Sequence, residues 1–187
     1  MISNKEQLKF YLAQDAQANH IDSYFKYLIK LMYGNVNACV YRYLKSLRKY
    51  EYYTNTNSVL RYFYKYYNRK LGLKYNLAMP INAIGYGLYI PHIEGGVILN
   101  VKKVGNNCKI NSGVVVGSKN SNNEIAVIGD NTTLTVGCKV IGKITIGNNV
   151  IVAPNSVVIK DVPDNSVVSG VPSKIIKLNG EKVIYEC

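Results

Sequence analysis

The chain has 187 residues, enough for one domain with a small appendage and for a real core without covalent staples. Hydrophobic residues make up 48% of it, which excludes a disordered composition, and no apolar run approaches the roughly 20 residues that a membrane-spanning helix requires. Lysine and arginine number 23 against 11 aspartates and glutamates, a formal net charge of +12 that favours anionic partners without choosing among nucleic acid, lipid headgroups, phosphates and acidic glycans.

The N-terminus, MISNKEQLKF, has no apolar core after its charges and does not read as a secretory signal. Cys39, Cys108, Cys138 and Cys187 are scattered, with no CxxC and no metal-like spacing to histidine. They read as reduced, small hydrophobic residues of a cytoplasmic protein, and no metal site is expected.

Residues 1 to about 75 are predicted helical. Ser3 followed by Glu6 reads as a capping box ahead of Leu8, Tyr11 and Leu12. Tyr24, Tyr27, Leu28, Leu31 and Met32 form a second apolar stripe at helical spacing, ending at Gly34-Asn35 as a C-cap. Tyr43, Leu44 and Leu47 belong to a third stripe, and Val59, Tyr62, Phe63, Tyr66 and Tyr67 to a fourth. Fourteen of the 17 tyrosines fall in this half, interleaved with lysine. No nucleic-acid motif accompanies them, so they are expected to be packing residues rather than a stacking platform, with no nucleic-acid partner.

After residue 80 the period changes. Written in sixes from Ile128 the chain reads IGDNTT, LTVGCK, VIGKIT, IGNNVI, VAPNSV, VIKDVP, with Ile128, Leu134, Val140, Ile146, Val152 and Val158 at the head. The same frame extends back through Val116, Ile110, Val104 and Ile98. Ile84 and Ile90 start two more sixes, out of frame by two residues that are absorbed around HIEGG. Such a period fits a coil of three short flat faces whose head residues point inward and stack, a parallel β-helix of about five coils over residues 80 to 172. Gly105-Asn106, Gly129-Asp130 and Gly147-Asn148 are expected at corners, where positive φ suits Gly and Asn. Pro154, Pro163 and Pro172 belong at corners or on the last coil. At Asn122, within GSKNSNNE, a polar head breaks the rule and predicts a protruding loop in place of that face. The expected organisation is a helical region over 1–76, a β-helix over 77–172 and a tail over 173–187.

Three stretches carry a resemblance: IGYGLYIPHIEGGVILN (84–100), the hexads, and VIKDVPDNSVVSGVPSKII (158–176). Over residues 80 to 177 they resemble the bacterial hexapeptide-repeat acyltransferases, most closely the serine-acetyltransferase-like sugar and capsular-polysaccharide O-acetyltransferases; the helices match more loosely, through LRKYEYY (47–53). The resemblance implies a left-handed coil, a homotrimer, and acetyl-CoA in the groove between neighbouring β-helices. Flat outer faces carrying Val115, Val150 and Ile151 independently favour side-by-side packing.

In that family a histidine at the position of His92 is the general base. The chemistry needs one, because a hydroxyl attacks a thioester poorly unless its proton leaves as the bond forms, and a neutral imidazole can take it. Gly95 and Gly96 are candidates to let substrate approach closely and to supply backbone donors. Glu94 is a candidate to orient His92, to bind substrate, or to be a solvated loop charge. The aspartate that orients the base of serine acetyltransferases is matched by Leu77, and the loop histidine by Glu124-Ile125-Ala126, departures that favour a sugar hydroxyl as acceptor. His20 has no motif around it and reads as structural or exposed. By resemblance Val136, Ala153 and Pro154 meet the pantetheine arm, and Lys160, Lys174 and Lys177 the phosphates of coenzyme A. The expected activity is direct acetyl transfer from acetyl-CoA to a carbohydrate of surface-polysaccharide assembly, since no serine or cysteine sits in a nucleophile motif. The basic helices suit an acidic glycan or peripheral contact with membrane-associated glycan machinery. The alternatives are a serine O-acetyltransferase of cysteine synthesis and a non-catalytic scaffold or glycan-binding module.

Overall fold

The computed structural model describes residues 1–119 and 125–183. Four helices come first: α1 (Lys5–Ala18), α2 (Tyr24–Met32), α3 (Val36–Asn55) and α4 (Leu60–Tyr75). The strands follow as β1 (Leu77–Ala78), β2 (Val97–Leu99), β3 (Val101–Val104), β4 (Lys109–Ile110), β5 (Val114–Gly117), β6 (Ala126–Ile128) and β7 (Thr133–Leu134). Then come β8 (Lys139–Ile141), β9 (Thr145–Ile146), β10 (Ile151–Val152), β11 (Val157–Val158), β12 (Ser166–Gly170), β13 (Ser173–Leu178) and β14 (Glu181–Lys182).

The helix ends obey local chemistry, with one shift from expectation. The cap of α1 is Asn4, whose side chain accepts from the Gln7 amide, while Gln7 Oε1 accepts from the Ser3 amide. The Ser3/Glu6 box is therefore replaced by Asn4 and Gln7, because an Asn side chain caps as well as Ser and lies one residue closer to the helix. The chain leaves α2 through Gly34 at φ +68, with the Asn35 amide donating to the Lys30 carbonyl, and Asn35 in turn caps α3.

The third stripe is buried as expected: Tyr43, Leu44 and Leu47 sit in the core. The second and fourth stripes are not. Tyr27 is buried, but Tyr24, Leu28, Met32, Val59, Tyr62, Phe63 and Tyr66 are exposed. Short amphipathic helices laid over α3 can cover only one line of contact each, so their wide apolar faces outrun the surface available to bury them. An ion pair that the pattern did not announce ties the helices to the first coil. Arg48 Nε donates to Asp15 Oδ2 at 2.8 Å, and both side chains are fully buried. Arg48 also reaches the Ile84 and Gly85 carbonyls, and Asp15 Oδ1 accepts from the Gly87 amide.

The strands form three parallel ladders, β1-β2-β5-β8-β11, β4-β7-β10-β12 and β3-β6-β9, and β12 continues into the antiparallel β13 and β14. Single bridges Ile84↔Val104, Tyr89↔Lys109 and Ile146↔Val162 extend two of the ladders, so each face has five rungs. The head residues of the hexads stack as expected: Ile128 on Ile146, Leu134 on Val152, Val140 on Val158, all buried.

Four details differ. Leu99, not Ile98, is inward and pairs with Val116; Ile98 is 52% exposed, because the frame slips at a bulge between Val101 and Lys103. Val150 is buried rather than on an outer face, leaving Ile98, Val136, Ile151 and Ile159 as the exposed aliphatic residues of the prism. The corner glycines do not supply positive φ. That role falls to Asn107, Asn131 and Asn149, near +55, while a Cβ on Gly129 would lie 2.6 Å from the Gly147 carbonyl carbon in the next coil. Finally, the register of the described faces lengthens across residues 120–124. Ile128, Leu134 and Val140 pair with heads 18 residues later (Ile146, Val152, Val158) but with heads 24 residues earlier (Val104, Ile110, Val116). The chain between these faces is thus six residues longer than in the later coils, a whole hexad, which is why the frame survived it. Asn120–Glu124 lie outside the described residues.

Candidate active site

His92 leaves the buried Ile90 and lies in irregular backbone at the corner before β2. The turn that follows is built by glycine. The Gly95 amide donates to Ser112 Oγ at 2.7 Å, and a Cβ there would sit 2.5 Å from that oxygen. Gly96 adopts φ +72, its amide donates to the Ile93 carbonyl, and the Val97 amide donates to the Asn76 carbonyl at the end of α4. Both glycines are required by the turn itself, and Ser112, which sequence reasoning missed, is the group that holds it.

The His92 and Glu94 side chains are 65% and 69% exposed, with Nδ1 4.0 Å from Glu94 Oε2. Among the described residues Glu94 is the one carboxylate within 4.0 Å of the ring, and the separation is beyond a hydrogen bond. Leu77, at the position of the serine-acetyltransferase aspartate, is buried at 3% exposure on β1 and pairs with Val97. An apolar side chain there offers the His92 ring no carboxylate.

The corner of His92 is shared with the residues expected to meet pantetheine. The Gly113 amide donates to the Gly96 carbonyl, Gly137 to Ser112, and Asn155 to Val136, so these turns stack coil upon coil along one edge. Val136, Ala153 and Pro154 therefore lie below Glu94–Gly96 on the same edge. Lys174 pairs with Ser169 and Lys177 with Val167, on the strand that extends the last coil. Lys160 lies apart from them, after β11 at the next corner. His20 is exposed at the end of α1, its ring edge-on to Tyr89.

A cleft of about 660 Å³ opens between α4 and the first coil. Glu94, Gly95 and Gly96 form one wall, Arg69 and Leu73 of α4 the other, and Leu77, Met79 and Ile98 the floor. The lining from α4 was not legible as a site, since Arg69 and Leu73 carry no motif. Among the described residues no group of three or more potential ligands could hold a metal.

No family model matches the chain. It is 40% identical over 106 residues to a serine acetyltransferase of Staphylococcus xylosus, covering 56% of this chain and 49% of that one. Against the serine acetyltransferase of Bacillus pumilus the identity is 36% over the same length and shares. The solved serine acetyltransferase of Neisseria gonorrhoeae superposes on 96% of this chain and 68% of its own with a TM-score of 0.71, at 26% identity. The fold is the left-handed β-helix of the serine acetyltransferases. The chain spans about half the length of the curated relatives it matches. A serine acetyltransferase solved in complex with CoA matches 92% of this chain with a TM-score of 0.69, at 21% identity, a likeness of fold.

Proposed function

We propose that this chain is an acetyl-CoA-dependent O-acetyltransferase that moves the acetyl group directly from the thioester to an acceptor hydroxyl. The observation that supports it is the single edge shared by His92 and by Val136, Ala153 and Pro154, beside an open cleft. Nδ1 faces Glu94, which leaves Nε2 as the base. As the acceptor oxygen attacks the thioester carbonyl, its proton passes to Nε2. The tetrahedral intermediate collapses with cleavage of the C–S bond, and the imidazolium returns the proton to the thiolate, giving ester and free CoA thiol. The phosphates of CoA are held by Lys174 and Lys177, with Lys160 the weakest of the three candidates because it stands at another corner.

The similarity to serine acetyltransferases favours L-serine as acceptor over the sugar expected from the sequence. A sugar hydroxyl is the second reading, favoured by buried Leu77 at the position where an orienting carboxylate was expected. A neighbouring protomer completes the pocket in this reading: on one chain His92 is too exposed to exclude water. The experiment is CoA-thiol release with L-serine and with a panel of sugars, comparing the natural chain with His92→Asn. Release with serine supports the first reading and release with a sugar the second. No release with any acceptor ends both.

A further inference from the structure

The helical half holds a second surface that acetyl transfer does not use. Between residues 23 and 93 the chain has eleven lysines and arginines and one acid, Glu51. That acid is buried 3.8 Å from Arg48, so the outward-facing cations of α2, α3 and α4 have no carboxylate of their own stretch to face.

Three of these cations, Arg42, Lys45 and Lys49 of α3, line a groove of about 320 Å³ between α2 and α4. Arg42 donates to the Tyr67 hydroxyl at 2.9 Å and Lys49 to the Tyr64 hydroxyl at 3.2 Å. The Lys45 ammonium lies 5.8 Å from the Tyr24 ring centre. Partial burial, and Lys49 beside it, push the Lys45 amine below its usual range. Three cations are thus held by aromatic rings and hydroxyls, which orient them without neutralising them. The lips are apolar: Tyr24 is 68% exposed and Phe63 58%, and on α2 Phe25 and Met32 are more exposed still.

We propose that this groove and its lips dock the protein on an anionic lipid surface, phosphate headgroups seating on Arg42, Lys45 and Lys49 while the aromatic lips enter the headgroup boundary. Uncompensated cations flanked by exposed aromatic and aliphatic residues on short helices are what an interfacial helix presents to acidic lipid. A second copy of the chain fits less well, since it would bring one uncompensated cationic face against another. No helix among the described residues is long and apolar enough to cross a membrane, so the contact is peripheral. The proposal does not depend on the transferase reading, and His92→Asn protein should dock like the natural chain.

The test is co-sedimentation of the full chain with phosphatidylcholine vesicles, with and without phosphatidylglycerol, at low and raised salt. Binding is expected only with phosphatidylglycerol and should weaken as salt rises. Lys45→Ala/Lys49→Ala should lower partitioning about thirtyfold, since each surface cation near acidic lipid contributes about a factor of five. Lys65→Ala/Lys70→Ala, at exposed positions of α4 outside the groove, should lower it in the same direction but less, and covers the case of a misfolded first variant. Equal binding to both vesicles, or none to either, overturns the proposal. So does full displacement by inorganic phosphate, which would make this a soluble-anion site, or a self-association in solution that Phe63→Ser abolishes, which would make the lips a homotypic interface.

Discussion

A single imidazole on a glycine-built turn carries the chemistry proposed for this chain. His92→Asn keeps a planar, polar side chain but removes the imidazole and with it the base. It should lower the acetyl-transfer rate by about two to four orders of magnitude with little change in the KM for acetyl-CoA, read by thiol release. Glu94→Gln separates the roles open to its neighbour. An orienting carboxylate predicts a fall in kcat, a substrate ligand a rise in the acceptor KM, and a solvated charge neither. The buried thiols report on the core. Burial pushes Cys108 up to about 11 and Cys138 up to about 12, against 9.0 for a free thiol. The folded state therefore keeps protons that the unfolded chain releases, so this contribution to stability is whole below pH 9 and is lost as pH rises through 11 to 12. Urea midpoints should fall across that window. Cys138→Ala should flatten part of the fall.

At the scale of elements, two devices hold the helices and coils in register. The Arg48–Asp15 pair joins α1, α3 and the first coil in a site without water access. Asp15→Leu removes the nearer of the two carboxylates at the buried Arg48 guanidinium, leaving only Glu51 at 3.8 Å, and strips the Gly87 amide of its acceptor; it should cost about 3 kcal/mol by chemical denaturation, although no catalytic group is near it. The corners divide their labour between two residue types. Gly129→Ala should cost about 2 kcal/mol because its Cβ meets the backbone of the next coil, not a side chain that can turn away. Asn149→Ala should cost about 1 kcal/mol, for the left-handed backbone and the lost hydrogen bond to Asn165. The hexad reading placed the positive φ within the Gly-Asn and Gly-Asp pairs, one residue before the Asn that adopts it, since a pattern reports which residue types recur but not which neighbour carries the strain.

Taken whole, the molecule is a stiff five-rung prism with a basic helical cap, and its proposed site lies on an outer edge. An edge site needs a wall, and the exposed Ile98, Val136 and Ile151 are the apolar surface on which a neighbour would build it. Ile151→Asp should abolish a trimer by light scattering and remove acetyl transfer with it, while leaving the melting of the isolated prism nearly unchanged. Activity in a monomer would refute the shared pocket. The coil number, most of the inward heads and the places of the corners could be read from the chain, because a six-residue period is enforced locally at almost every rung. His92 was singled out by the resemblance of its motif to a family, not by the period, which it interrupts. The slip at Leu99, the buried Val150, the exposed faces of α2 and α4, and the cleft walled by Arg69 and Leu73 were not legible. They depend on which surfaces meet across the fold, and a sequence pattern records the face a residue prefers, not the area left to cover it.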